Sequence, residues 1–167
     1  PDDEYNQIIQ ELAAKERSIF ALVERAKMEM QKNSFNEASK IWKKLSEKVE
    51  NDTYFIQQWA LCTYKDNSVN KNIALTDALK IISLLEPENR NTTDPETLGI
   101  TGAIYKRLWM HDNDTVEYLD RAIEYYKRGF TISQDYYTGE NYALCLELKS
   151  AFTTDPEEKV YLTFAAK

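Results

Sequence analysis

Residues 98 to 130 carry two apolar stripes at helical spacing, and each stripe holds a glycine where a neighbouring helix must come close. Leu98, Gly102, Tyr105 and Trp109 follow one another at intervals of four, three and four residues, which puts them on one side of an α-helix. Leu119, Ala122, Ile123, Tyr126 and Phe130 form a second stripe, with Gly129 beside it. A side chain at Gly102 would hold the neighbouring helix away. A pair of helices built this way cannot bury its faces alone, so the remaining chain must supply more helices to stack against it. Four Gly and four Pro in 167 residues are too few for a turn-rich β fold and suit helices joined by short loops.

Taken in order, the chain repeats this theme. Tyr5, Ile8, Ile9, Leu12 and Ala13 begin a helical pattern that continues through Ile19, Phe20, Leu22, Val23 and Ala26. A helix is expected over residues 3 to 32, with a break near Arg17 and Ser18. Ala26, Phe35, Ala38 and Trp42 then fit the spacing of a tetratricopeptide repeat of about 34 residues. Ile56, Trp59, Ala60 and Thr63 open a second unit, followed by a polar insertion at residues 65 to 72 and a helix from Ile73 to Leu85. Asp94, Pro95 and Glu96 read as an N-cap, a first-position proline and a first-turn acid. From Gly102 to Ala122 is 20 residues against about 12 in a regular repeat, so residues 111 to 115 form an enlarged turn. Tyr137, Asn141 and Leu144 mark a fourth unit, and Asp155, Pro156 and Glu158 start its second helix, which carries Val160, Tyr161 and Phe164.

The expected architecture is therefore all-α: a tetratricopeptide-like α-α superhelix of seven to eight helices in one domain. Its divisions are an N-terminal helical extension (1–18), repeats at 19–52, 53–94 and 95–133, and a last, truncated repeat at 134–167. The chain is read as an excised piece of a longer protein, because it lacks an initiator Met.

Four strings resemble one known group: QQWALCTYK (57–65), TTDPETLGITGAIYKRLW (92–109), LDRAIEYYKRGFTISQDYYTGENYALCL (119–146) and AFTTDPEEKV (151–160). They are similar to the tetratricopeptide-containing "TRAFs-binding" domain, found in the central region of apoptosis signal-regulating kinases and in bacterial multidomain proteins. The wording is closer to the bacterial members. The resemblance covers roughly residues 19 to 167 and implies an all-helical regulatory or scaffold module, often fused to signalling or effector domains. It does not imply binding to a TRAF.

A net charge of −7 argues against nucleic acid, whose binders present a basic face. No apolar run approaches the roughly 20 residues of a membrane span, and the acidic start is no secretory signal. Cys62 and Cys145, the only cysteines, fall among apolar residues and read as core positions in a reducing, cytoplasmic setting. No metal or cofactor is expected. A calcium loop starting at Asp112 would need Gly at its sixth place and Glu at its twelfth, where the chain has Glu117 and Ile123. His111 is the sole histidine, with no nucleophile elbow near it, so no catalytic residues are assigned and the chain is read as a non-enzyme.

The candidate partner-binding residues are Lys65, Lys106, Arg107, Asn141 and Tyr142, on the concave side lined by the first helix of each pair. Lys106 and Arg107 follow the Tyr105 stripe position, and Lys65 is equivalent to Arg107. Such a basic patch suits an acidic peptide or a phosphate through charge-assisted bonds. The alternative is pairing with Glu96, Glu140 or Glu147. Asn141 binds a ligand backbone or bridges two helices. Tyr136, Tyr137 and Tyr142 are an aromatic ledge or, on the favoured reading, core. Glu117 with Arg121 and Glu124 with Arg128 are spaced for ion pairs along their helix. The function expected is a protein-interaction or regulatory scaffold that binds a protein, a peptide or an adjacent domain. Two alternatives stand: a sensor of a small, nucleotide-like anion in the same basic pocket, and an architectural spacer or dimerisation element.

Overall fold

The computed structural model describes residues 1–167 and contains eight α-helices and no strand. In chain order they are α1 (Asp2–Gln31), α2 (Phe35–Lys48), α3 (Thr53–Lys65), α4 (Lys71–Ile82, extended by a 3-10 turn over Ser83–Leu85), α5 (Pro95–His111), α6 (Val116–Ser133), α7 (Tyr136–Phe152) and α8 (Pro156–Ala165). Each helix packs on the next, and α3 also contacts α5. This is the all-α, tetratricopeptide-like stack that the stripes predict. The expected break near Arg17 is absent: α1 is continuous, since neither Arg17 nor Ser18 interrupts the i to i−4 ladder.

Side-chain caps start most of the helices. Asp52, Asn70, Asp94, Asp135 and Asp155 each accept a backbone N–H from the first turn of α3, α4, α5, α7 and α8. These acceptors satisfy donors that have no intrahelical partner. Pro95 and Pro156 follow their caps directly.

The main core joins α3, α4, α5 and α6, with Ile56, Leu75, Ile82, Ile104, Leu119 and Tyr126 at its centre and Cys145 reaching in from α7. A smaller core at the N-terminal end holds Ala26, Ala38, Trp42, Leu45, Phe55 and Cys62. Trp59 packs against both. Both cysteines are buried and unbridged, and burial pushes the Cys62 thiol up to about 12 and the Cys145 thiol up to about 11.

Gly102 does what its place in the stripe requires. A Cβ there would lie 3.2 Å from three carbons of the Tyr126 ring. The closeness of α5 and α6 thus rests on a bare backbone under an aromatic ring. The stripe itself understates the burial of α5, where every residue from Thr97 to Ile104 is buried. Tyr105 is only half-buried and stacks on the buried Tyr125 with ring planes 4° apart.

Two sequence expectations are corrected, at Arg128 and in α7. Arg128 does not pair with Glu124; its guanidinium donates to the carbonyls of Pro87, Asn89 and Thr92 at 2.7, 3.1 and 3.2 Å, clamping the linker before α5. Carbonyls left free by an irregular segment out-compete a solvated neighbour on the same helix. In α7 the buried face runs through Thr138, Asn141 and Cys145 while Leu144 is exposed, because apolar residues occur on more than one side of this helix. In α8 the buried residue is Leu162, and Val160, Tyr161 and Phe164 are exposed at the end of the stack.

Candidate groove on the inner face

The first helices of successive pairs, α3, α5 and α7, enclose a groove of about 560 Å³. Tyr64, Lys65, Glu96, Arg107, Tyr137 and Thr138 are among its walls. The N-terminal ends of α5 and α7 meet here, so Gly99 lies 3.6 Å, measured from an added Cβ, from the Tyr137 ring.

Arg107 is the central cation. It sits one helical turn past Ala103 and Ile104, whose burial fixes the face of α5. Its guanidinium lies 4.8 Å from the centroid of the buried Tyr64 ring, a stacking geometry suited to arginine. No carboxylate lies within ion-pairing distance of Arg107, nor of Lys65 or Lys106. The pairing of Lys106 and Arg107 with Glu96, Glu140 or Glu147 does not occur.

Lys106 points differently from Arg107. Its ammonium donates to Asn141 Oδ1 at 2.6 Å and lies 6.0 Å from the centroid of the Tyr126 ring. Asn141 in turn donates through Nδ2 to the Tyr137 carbonyl at 2.9 Å. Asn141 therefore bridges α5 and α7. Burial first, with the neighbouring Arg107 charge, holds the Lys106 pKa below the usual lysine value against the smaller opposing effects of Cys145 and Glu140. Lys65 lies over the Phe35 ring at 5.6 Å, at the groove's edge. Tyr142 is half-buried against the main core and does not line the groove.

The groove's acids are Glu96 and Asp135. Burial first, then the nearby charges of Asp94 and Asp135, raise the Glu96 carboxyl. Asp135 is held low by hydrogen bonds from Ser133 and Thr138, which fix it as the α7 cap. The Asp135 carboxylate is thus engaged by its own turn, while Arg107 is left without a partner of opposite charge.

Two features were not legible in the sequence. The buried Gln57 of α3 donates to Asp94 and, at 3.0 Å, to Thr97 Oγ1, tying α3 to the start of α5 behind the groove. The Tyr126 hydroxyl is buried with no hydrogen-bond partner, and burial together with the adjacent Tyr137 pushes its pKa far up. Tyr136 and Tyr137, favoured as core, are instead 82% and 52% exposed, leaving Tyr137 as an aromatic wall of the groove. They stand in the first turn of α7, where only Thr138 points into the stack.

The sequence matches the family model described as Tetratricopeptide Repeats-Sensor over residues 34–146, from the N-cap of α2 into α7. No curated protein and no solved structure matches the chain.

Proposed function

The chain belongs to the Tetratricopeptide Repeats-Sensor family, and on that premise we propose that the inner groove is the binding site of a non-catalytic recognition module. Helical repeat domains of this type mediate protein interactions, and the groove fits an acidic segment of a protein partner or of an adjacent domain in the same protein. The observation that carries this reading is Arg107: a half-buried guanidinium, over the Tyr64 ring, with no carboxylate of the chain within ion-pairing distance. A desolvated, pre-oriented fork of donors is a strong receptor for a carboxylate or phosphate. Lys65 adds positive charge at the rim, while Lys106 and Asn141, bonded to each other, stand outside the groove's lining. Preformed helices spend little ordering entropy on binding, so few anchors suffice.

A second reading keeps the same site and changes the ligand. The family's description contains the word sensor, and a groove of about 560 Å³ lies within the roughly 300–1,000 Å³ range of small-molecule sites. A nucleotide-like anion on Arg107 is therefore the alternative. The narrower likeness to the TRAFs-binding domain belongs to the same proposal, as a regulatory module attached to signalling or effector domains. Two unbridged, buried thiols favour a reducing, cytoplasmic setting; no helix is long and apolar enough to cross a membrane.

Arg107→Glu is the test. Anisotropy of a labelled acidic, phosphoserine-containing peptide should report salt-sensitive binding to the native chain. The variant should weaken it by about tenfold or more, equivalent to about 1.4 kcal/mol, with an unchanged melting temperature. A melting-temperature rise with nucleotides, without peptide binding, moves the assignment to the sensor reading. Collapse of the variant's melting temperature makes Arg107 a structural residue and removes the proposal's support.

A further inference from the structure

The Tyr126 hydroxyl is fully buried and has no hydrogen-bond partner in the chain. Taking a hydroxyl out of water without giving it a partner costs stability, and native structures hold few such groups. Phenylalanine would fill the same space without that cost, so packing alone does not account for the oxygen.

The surroundings place it beside the groove. Tyr126 belongs to α6, and its ring reaches between α5 and α7. The bare backbone of Gly102 lies against one side of the ring, where an added Cβ would be 3.2 Å from three of its carbons. The Lys106 ammonium stands 6.0 Å from the ring centroid. From α7 the Tyr137 ring meets it edge-on, with centroids 6.3 Å apart and planes at 74°. Tyr137 lines the groove and Tyr126 does not, so Tyr137 stands between the hydroxyl and the groove. Burial is the main effect raising the hydroxyl's pKa, Tyr137 adds to it, and the positive charge of Arg107 opposes both. The oxygen therefore feels the groove's central cation. Tyr137 is half-exposed in the first turn of α7, so its ring has solvent to swing into.

We infer, on the reading of the groove as a binding site, that Tyr126 is its concealed donor: with Tyr137 swung aside, the hydroxyl donates to a phosphate monoester on the bound protein segment, beside Arg107. A guanidinium fork matches the two oxygens of a carboxylate in one plane. A phosphate monoester presents a third terminal oxygen outside that plane, and a donor from another helix can meet it. Lys106 is already bonded to Asn141 and Thr138 to Asp135, whereas the Tyr126 hydroxyl is uncommitted. The groove then distinguishes a phosphorylated segment from one that carries only aspartate or glutamate.

Anisotropy of a labelled phosphoserine peptide and of its glutamate counterpart, alongside thermal melts, tests this. The native chain should bind the phosphopeptide about tenfold more tightly or better. Tyr126→Phe should remove that preference while melting at or above the native temperature, the opposite of what losing a structural hydrogen bond does. Tyr137→Ala should keep the preference, whatever it does to overall affinity. Tyr126→Phe added to Tyr137→Ala should still remove it, which separates the hydroxyl's own contact from an effect passed through Tyr137. Equal native affinity for the two peptides overturns the inference. So does a Tyr126→Phe chain that keeps the preference or melts lower, or a Tyr126→Phe change without effect once Tyr137 is alanine. In those cases binding that is still lost in Arg107→Glu leaves the groove assignment standing; a native chain that binds neither peptide removes both.

Discussion

Two glycines of α5, one turn apart, separate backbone propensity from packing. At Gly99 an added Cβ meets nothing closer than 3.6 Å, and at Gly102 it meets three carbons of a fully buried ring at 3.2 Å. Glycine inside a helix costs about 0.5–1 kcal/mol relative to alanine. Gly99→Ala should therefore stabilise the fold by about that amount. Gly102→Val carries both a Cβ and its branches into the Tyr126 ring, which is fully buried and flanked by Lys106 and Tyr137. Overpacking of a tight core costs about 1–3 kcal/mol, and that loss is expected here. Thermal melts of the two variants should shift in opposite directions. Gly102 was legible from its place in an aromatic stripe. Gly99 was not, because its neighbours come from α7, a helix whose facing the apolar pattern left ambiguous.

Lys149 of α7 bridges α6 and α8. Its ammonium lies 2.9 Å from Asp120 of α6 and 3.2 Å from Glu158 of α8. The hydrogen bond to Asp120, with that to Glu158, outweighs burial and raises its pKa above the ordinary lysine value of 10.5. A raised lysine pKa means the folded state holds the proton more tightly than the unfolded chain does. Its contribution is complete below pH 10.5 and falls as pH rises through the higher, folded value. Both carboxylates are 41–48% exposed, so solvent screening limits the contribution to about 1 kcal/mol or less. Lys149→Met should be less stable than the native chain at neutral pH, and the gap should close in strong alkali. A gap that stays constant across that range would exclude the bridge as its cause. Element boundaries were largely legible, since Asp94–Pro95 and Asp155–Pro156 are local capping signals. The Lys149 bridge was not, because its three members come from three helices distant in sequence.

At the scale of the whole molecule, two cores joined at Trp59 imply uneven stability. The N-terminal core is small, and Trp42, fully buried at its centre, donates from its indole N–H to Met30 Sδ at 3.3 Å. Replacing a buried tryptophan by alanine costs about 3–5 kcal/mol. In a stack whose units contact mainly their neighbours, such a loss stays local. Trp42→Ala should therefore abolish hydrogen-exchange protection in α2 and the adjoining part of α1 while α5 and α6 remain protected. Loss of protection in all four helices together would show that the two cores unfold as one.

The sequence alone determined the helical class and most helix ends, and held the number of helices to seven or eight, because stripes, caps and prolines act within a few residues of one another. It also placed Lys65, Lys106 and Arg107 on helices that line one side. Only the tertiary structure decided what each cation does there. Arg107 came to rest on Tyr64 without a carboxylate, Lys106 was drawn to Asn141, Arg128 closed a linker and Tyr137 turned outward. Those outcomes depend on contacts between residues 35 to 43 positions apart, and side-chain patterns along one helix carry no information about which neighbour will meet them.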